Sequence, residues 1–123
     1  MAGERVLVID DDRDYCEEFQ EILEAEGFSA TCVCSTGEAA QALAQGAFDL
    51  VLLDMKMPTM DGVHFLSEHR GRLGAARVIV VSGSVTARRR LEEADVAQFV
   101  FAVVPKPFNI AVFLKDIHEA LRR

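Results

Sequence analysis

The chain has 123 residues, half of them hydrophobic, and a formal net charge of −7 at pH 7. This length suits one ordinary domain, and the apolar content can build a core without disulfides or a structural metal. The acidic balance argues against binding to nucleic acids or to anionic membranes, because both select basic surfaces.

The cysteines and the N-terminus indicate a protein of the cytoplasm. Cys16, Cys32 and Cys34 are interpreted as reduced thiols that pack as small apolar residues. A metal site built on Cys32 and Cys34 would need two more ligands nearby, and the sequence suggests none. The N-terminus lacks a signal peptide, and no apolar run reaches bilayer length, so we expect a soluble cytoplasmic domain.

The first apolar runs, at residues 5–9 and 28–34, predict two strands with a helix between them. The helical pattern ends at Gly27, a residue type that often terminates helices. The second run includes Ser and Thr, which favours a strand at the edge of a sheet. The helical periodicity rests on Phe19, Ile22 and Leu23.

The middle of the chain predicts a helix, a strand and another helix. An Ala-rich helix capped by Ser35 or Thr36 precedes an apolar strand at residues 48–53. Asp61 can cap the next helix, which we expect to end at a glycine within residues 71–74.

The last third of the chain predicts two strands and two helices. Apolar runs at residues 77–81 and 99–104 predict the strands, and the very polar segment 86–95 between them predicts a helix. The final helix follows Asn109, a plausible N-cap. Its predicted apolar stripe consists of Ile110, Phe113, Leu114, Ile117 and Leu121.

Strands and helices that alternate five times predict an α/β domain with a parallel sheet. In such sheets, ligands bind beyond the carboxyl ends of the strands, so we expect functional residues directly after each strand. These residues are Asp10, Asp11 and Asp12 after the first strand, Ser35 and Thr36 after the second, Asp54 after the third, Ser82 after the fourth and Lys106 after the fifth.

The residue types at this rim suit a metal-assisted phosphoryl transfer. Carboxylates from two neighbouring strands form a hard-oxygen site, and a bound Mg²⁺ would relieve their mutual repulsion. The hydroxyl of Ser82 and the ammonium of Lys106 would complement an anion with several oxygens. Each residue alone also has a structural interpretation, as a cap, a turn residue or an exposed charge, so the prediction depends on their coincidence.

These residues resemble the receiver domain of two-component response regulators, and the resemblance covers residues 1–123 as one receiver domain. It implies a doubly wound, flavodoxin-like fold with a five-stranded parallel sheet in the order 2-1-3-4-5 and five helices. The matching residues are Asp10 and Asp11, Asp54 with Met57, Pro58, Asp61 and Gly62, then Ser82, and then Lys106, Pro107 and Phe108.

The resemblance implies a Mg²⁺ site made by Asp10, Asp11, Asp54 and the backbone carbonyl of Lys56. In this assignment Asp11 would bind the metal directly, and Asp10 would position a metal-bound water.

The resemblance also implies the roles in phosphorylation. Asp54 would be the nucleophile that accepts a phosphoryl group, Ser82 would bond a phosphoryl oxygen, and Lys106 would pair with the carboxylate before transfer and with the phosphoryl group afterwards. The Lys106–Pro107 peptide would be cis. Asp12 is left over, and we predict that it is the N-cap of the first helix.

The implied function is that of a phosphoacceptor in a phosphorelay rather than an enzyme with a turnover substrate. The donor would be a sensor histidine kinase or a histidine phosphotransfer protein. Phosphorylation would reshape the surface of helix 4, strand 5 and helix 5 for an output domain or protein partner. Met1 stands at a natural receiver start, whereas the last helix ends in Leu121, Arg122 and Arg123, where a receiver often leads into a linker. A stand-alone regulator and a receiver of a longer protein therefore both stay open.

Two features depart from the resemblance. Val103 occupies the position, three residues before Lys106, where the family usually has Tyr or Phe. This argues against the usual aromatic coupling, though not against phosphorylation itself, and it is the main support for an alternative function, a receiver-like interaction module that works without phosphorylation. The charged segment at residues 87–98 also leads us to predict that this region differs most from a standard receiver.

Two other motif interpretations exist for the acidic stretch. Asp10 and Asp12 resemble the nucleophile and acid of haloacid-dehalogenase-type phosphohydrolases, although Asp14 stands where that family has Thr or Val. Asp10, Asp12, Asp14 and Glu21 also fall at the offsets of an EF-hand calcium loop, although Tyr15 replaces the required Gly.

Overall fold

A computed structural model describes residues 3–55, 62–106 and 108–122 of the chain. Its five strands form one parallel sheet in the order β2-β1-β3-β4-β5, which confirms the predicted strand order. The strands are β1 (Arg5–Ile9), β2 (Ser29–Val33), β3 (Leu50–Asp54), β4 (Arg77–Ser82) and β5 (Ala102–Pro105).

Five helices cover the two faces of the sheet. One face, the α1/α5 face, packs against α1 and α5, and the other, the α2/α3/α4 face, packs against the remaining three helices. The helices are α1 (Arg13–Ala25), α2 (Thr36–Gln45), α3 (Gly62–Leu73), α4 (Ala87–Glu93) and α5 (Ile110–Leu121).

The sheet separates two cores because successive side chains of a strand point to opposite faces. In β1, Val6 and Val8 join the core of the α1/α5 face, whereas Leu7 and Ile9 join the core of the α2/α3/α4 face. All four side chains are buried, which explains why the central strands read as unbroken apolar runs.

Side chains at the starts of three helices fix where those helices begin. Asp12 accepts hydrogen bonds from the backbone N–H groups of Asp14 (3.0 Å) and Tyr15 (3.4 Å), so its predicted role as the cap of α1 is confirmed. Ser35, rather than Thr36, caps α2. Asn109 caps α5 as predicted. The predicted cap Asp61 lies outside the described residues.

Two apolar predictions near the C-terminus are wrong in detail. The run at residues 99–104 is a strand only from Ala102, because residues Ala97–Phe99 form a 3₁₀ turn. Phe101 lies just before the strand, although its backbone N–H already donates to the carbonyl of Val78 in β4 (2.7 Å). In α5, Ile110 is 50% exposed, and Ala120 is buried instead. The other residues of the predicted stripe pack against the core as expected, so the prediction fails only at the first residue of α5; they are Phe113, Leu114, Ile117 and Leu121.

The prediction that the cysteines are not disulfide-bonded is confirmed, since Cys16, Cys32 and Cys34 are all free. Cys16 is buried and the other two are half-buried, in the core formed by α1 and the sheet. The thiol of Cys32 lies 2.8 Å from the carbonyl oxygen of Cys16.

Candidate functional site

The ends of β1 and β3 bring three carboxylates together. Asp10 follows β1, and Asp54 is the last residue of β3, the strand that pairs directly with β1. Asp10, Asp11 and Asp54 each offer a carboxylate oxygen, and these oxygens all lie within 4.8 Å of one another. Asp10 and Asp54 are buried, whereas Asp11 is exposed, so the group opens to solvent on one side.

Asp10 is held in place by backbone and side-chain hydrogen bonds. Its backbone N–H donates to the carbonyl of Val33 in the neighbouring strand (3.1 Å). One carboxylate oxygen accepts the backbone N–H of Asp12 (2.9 Å), and the other accepts the ammonium of Lys106 (2.9 Å). Each oxygen of this buried carboxylate, whose residue is only 1% exposed, therefore has a hydrogen-bond partner within the protein.

Lys106 connects the carboxylates of two strands. Its Nζ is 2.9 Å from Oδ2 of Asp10 and 3.7 Å from Oδ1 of Asp54. Burial disfavours the ammonium, but the hydrogen bond and charge of Asp10, together with the charge of Asp54, outweigh it and raise the pKa of Lys106 above its ordinary value. The same Nζ lies 4.2 Å from the ring centroid of Tyr15, a cation–π contact.

Ser82 ends β4 on the other side of Asp54. Its Oγ accepts the backbone N–H of Ser84 (3.0 Å), and its carbonyl accepts the backbone N–H of Lys106 (2.9 Å). The side chain is buried, and its hydroxyl proton remains available to an acceptor. Four of the predicted residues, on four different strand ends, therefore meet at one rim.

A cleft of about 360 Å³ opens beside Asp54, between the ends of β3 and β4 and the start of α4. It is lined by Asp54, Met55, Ser82, Gly83, Ser84, Thr86 and Arg90. Ser84, Thr86 and Arg90 were not predicted from the sequence. Their segment looked like a polar helix and loop, and nothing in its spacing placed it against Asp54.

The donor set fits a hard divalent cation. Three carboxylates supply oxygen ligands, the type that Mg²⁺ prefers, and exposed Asp11 leaves room for water. By formal charge, Lys106 balances one of the three carboxylates and leaves two negative charges. Among the described residues, Asp10, Asp11 and Asp54 are the one group of three or more His, Cys, Asp or Glu side chains whose possible metal-ligand atoms all lie within 4.8 Å of one another.

Several predicted features lie outside the described residues. They include the backbone carbonyl of Lys56, the residues Met57 and Pro58, and the peptide between Lys106 and Pro107. Their roles stay predictions.

The sequence of the chain matches a known domain family. Residues 6–118 match the sequence model of the response regulator receiver domain. The chain is a member of the response regulator receiver family. Its described fold, a five-stranded parallel sheet with helices on both faces, is that of a receiver domain.

The curated proteins that the chain resembles in sequence are response regulators longer than this chain. The chain is 33% identical to the transcriptional regulatory protein CpxR of Klebsiella pneumoniae over 97% of this chain and 50% of that protein. It is 37% identical to a response regulator receiver protein of Anaeromyxobacter over 86% of this chain and 44% of that protein. The chain therefore spans about half the length of these relatives.

Solved receiver structures share the fold. A CheY-like receiver domain from Methanospirillum hungatei superposes with a TM-score of 0.86 and 29% identity, covering 98% of this chain and 94% of that one. The response regulator TrrA of Thermotoga maritima, solved in complex with Mg²⁺-BeF, superposes with a TM-score of 0.84 and 27% identity, covering 96% of this chain and 99% of that one. The second structure shows that a relative holds Mg²⁺.

The two departures noted in the sequence have structural counterparts. Val103 pairs with Val80 of β4 and packs against the core of the α2/α3/α4 face. Helix α4 has seven residues and is followed by the 3₁₀ turn. That this region differs most from a standard receiver stays a prediction.

No helix in the described ranges is long and apolar enough to cross a membrane. The calcium-loop interpretation does not fit, because a strand rather than a helix precedes Asp10 and because Asp12 caps α1.

Proposed function

We propose that this chain is the phosphoacceptor of a two-component phosphorelay and that Asp54 is the residue phosphorylated. The observation that carries the proposal is the meeting of Asp10, Asp11, Asp54 and Lys106 within hydrogen-bonding and metal-binding distance at one rim. The donor is a phosphohistidine of a sensor histidine kinase or of a histidine phosphotransfer protein. The domain is not a turnover enzyme, because it carries the product covalently.

The chemistry is a displacement at phosphorus. An oxygen of the Asp54 carboxylate forms a bond to phosphorus, the phosphorus–nitrogen bond to the donor imidazole breaks, and its electron pair stays on the nitrogen. Asp54 borders the open cleft, so a donor can approach its carboxylate from that side.

Mg²⁺ would be held by Asp11, by Asp54, by Asp10 through a water and by the carbonyl of Lys56. When bound, it would neutralise charge on the phosphoryl oxygens. The carboxylates around the nucleophile would otherwise repel an anionic donor.

Lys106 and Ser82 would donate hydrogen bonds to the remaining phosphoryl oxygens. The ammonium of Lys106 is already 3.7 Å from Asp54 and can exchange its contact with Asp10 for one with a phosphoryl oxygen. The Ser82 hydroxyl can donate to another phosphoryl oxygen while its Oγ still accepts from Ser84. Both groups are positioned by the strand ends and need no new fold.

Movement of Ser82 and of the loop that follows it carries the signal. That loop leads directly into α4, so its displacement alters the surface formed by α4, β5 and α5, where an output domain or partner would bind. We propose that residues 1–123 form one cytoplasmic receiver domain and that the output lies in a separate domain or protein.

Val103 supports a second candidate, an interaction module that works without phosphorylation. An aromatic residue is usual at this position in the family, and its absence removes the ring whose position usually reports the switch. The filled set of site residues favours the phosphoacceptor, since Asp10, Asp11 and Asp54 repel one another and a Mg²⁺ used in phosphorylation would relieve that repulsion.

The test is phosphorylation by acetyl phosphate followed by intact mass. We expect the gain of one phosphoryl group in Mg²⁺, none in EDTA and none in the Asp54→Asn variant. Asp14→Asn, which removes an exposed carboxylate of α1 outside the site, is the control and should be labelled normally. No gain by folded wild-type protein in Mg²⁺ would favour the interaction module.

A further inference from the structure

A second groove lies at the end of the sheet opposite to the clustered carboxylates. It is bounded by the end of α3, the turn that leads into β4, and the 3₁₀ turn that leads into β5. Its volume is about 440 Å³. Sites for small molecules typically measure about 300–1,000 Å³. The groove therefore has the size of a small-molecule site and is separate from the proposed phosphoacceptor rim.

This groove is cationic, although the chain as a whole has a net charge of −7. Arg70 of α3 and Arg77 of β4 line it, and no aspartate or glutamate is among the described residues that do so. Both arginines are exposed, and neither guanidinium takes part in an ion pair with another described residue. Two such positive charges in one groove favour an anionic ligand.

Two phenylalanine rings hold these guanidiniums in place. The Cζ atom of Arg70 lies 5.5 Å from the ring centroid of Phe99, and that of Arg77 lies 6.0 Å from the ring centroid of Phe101. A cation–π contact uses the face of a ring rather than a hydrogen-bond acceptor, so the N–H donors of each guanidinium stay available to an anion. The contacts also order both side chains in advance, which lowers the entropy that binding would cost.

One of the rings also offers surface to a ligand. Phe101 is 44% exposed even though Arg77 lies over it. The flat ring of a nucleobase can stack on such an aromatic side chain, while guanidiniums bind phosphate oxygens through parallel N–H groups. Gln98 lines the same groove, and its amide can both donate to and accept from the edge of a base.

The overall charge of the chain limits the size of the anion. A nucleic acid or a large acidic protein would meet the acidic surface around the groove as well as the two arginines. A compact anion meets only the local charge. A compact anion that carries a phosphate and a flat ring uses both the guanidiniums and the exposed phenylalanine.

We propose that the groove lined by Arg70, Arg77, Gln98, Phe99 and Phe101 binds a nucleotide. The two arginines bind its phosphate, and Phe101 stacks on its base. The 3₁₀ turn at this groove joins α4 to β5, so a bound nucleotide restrains the segment between these two elements. The inference is independent of the proposed phosphorylation, because none of the clustered carboxylates lines the groove.

Isothermal titration calorimetry of the wild-type chain tests the class of ligand. The probes are the four ribonucleoside 5′-monophosphates, adenosine, inorganic phosphate and a hexaglutamate peptide, all in EDTA so that no metal at the rim recruits phosphate. We expect one-to-one binding of at least one nucleotide with a Kd below about 1 mM. Adenosine and inorganic phosphate should each bind at least about tenfold more weakly, because each lacks one half of the ligand.

Matched variants test where the nucleotide binds. Arg70→Ala and Arg77→Ala should each weaken nucleotide binding about tenfold through loss of a charge-assisted contact. Phe101→Leu, which keeps a large apolar side chain but removes the ring, should weaken nucleotide binding about tenfold and leave phosphate binding unchanged. Arg72→Ala removes the same charge from an exposed position of α3 outside the groove and should match wild type.

Other results would overturn the assignment. Absence of binding by all four nucleotides would remove the site. Inorganic phosphate bound as tightly as a nucleotide, or unchanged nucleotide binding by Phe101→Leu, would leave an anion site that does not recognise a base. Equal weakening by Arg72→Ala would make the effect one of net charge. Hexaglutamate bound more tightly than any nucleotide would make the groove a docking surface for an acidic peptide instead.

Discussion

The two faces of the sheet differ in what they place next to the rim. On the α1/α5 face, Phe19 stacks on Phe108 with ring centroids 5.0 Å apart, and Phe108 contacts Phe113 at 4.9 Å. Tyr15 joins the same group and lies under the ammonium of Lys106. On the α2/α3/α4 face, β5 contributes the aliphatic side chain of Val103 to the core. The rim on this face opens into the cleft that Arg90 lines.

This difference would let the proposed phosphoacceptor site serve two tasks, the admission of a donor and the report of its own state. The α2/α3/α4 face leaves space beside Asp54 for a donor. The α1/α5 face is filled with rings that contact Lys106 through Tyr15, so a displacement of that ammonium alters an aromatic contact there. In a receiver with Val103, we expect the α1/α5 face to register the state of the site.

The largest effect is expected from removal of a ring on the α1/α5 face. Phe113 is fully buried and contacts both Phe19 and Phe108. Phe113→Ala should lower the free energy of unfolding by about 3–5 kcal/mol, because it leaves a cavity among the remaining rings. Urea denaturation measures this. Val112→Ala removes a neighbouring side chain that is 53% exposed and should stay within about 0.5 kcal/mol of wild type. Similar values for the two variants would contradict a packed aromatic core.

A smaller effect distinguishes the helix-capping role of Asp12 from the metal-binding role proposed for Asp10 and Asp11. Asp12→Ala removes the cap of α1 and should cost about 1 kcal/mol of unfolding free energy, while Asp12→Asn, which can still accept the backbone N–H groups, should cost less. Both variants should retain Mg²⁺-dependent phosphorylation, because Asp12 is not among the clustered carboxylates. Loss of labelling in Asp12→Asn would instead assign Asp12 to the reaction.

A further effect appears only in alkaline solution. The pKa of Lys106 in the folded protein is raised above its ordinary value of 10.5, so its charged form contributes stability that is fully present below that pH. This contribution is lost as the pH rises through the folded pKa. In EDTA, wild-type protein should therefore lose more unfolding free energy above about pH 10.5 than Lys106→Met does. Parallel curves of unfolding free energy against pH for the two proteins would show that Asp10 and Asp54 do not stabilise the charged form of Lys106.

The smallest expected signal is optical. The chain has one tyrosine and no tryptophan, so its intrinsic emission comes from Tyr15 alone. Because Lys106 lies over this ring, phosphorylation that draws the ammonium away should change the emission intensity. Asp54→Asn under the same conditions is the control and should show no change. Constant emission from fully phosphorylated wild type would mean that Lys106 keeps its contact with Tyr15.

The sequence predicted the rim better than its surroundings, for a physical reason. Parallel strands must end at one edge, so Asp10, Asp54, Ser82 and Lys106 could be placed together from strand positions alone. Asp12 could be predicted as a cap because a cap is a local feature.

The contacts of Tyr15 and Arg90 depend on how α1 and α4 rotate against the sheet, and no local pattern encodes that rotation. The same limit explains the error at Ile110, where a helical stripe predicted burial but the packing of α5 left the side chain exposed. Phe99 was placed in β5 by its apolar run, although local hydrogen bonds make a 3₁₀ turn there instead. Phe101 precedes β5, but its backbone N–H donates to the carbonyl of Val78 in β4.

The most direct test of the account is to locate the phosphoryl group. Borohydride reduces an aspartyl phosphate to homoserine, and peptide mass spectrometry after reduction identifies the position that has changed. We expect homoserine at position 54, formed only after treatment with donor and Mg²⁺. Homoserine at position 10 would contradict it and would favour the phosphohydrolase-type assignment of Asp10 as the nucleophile.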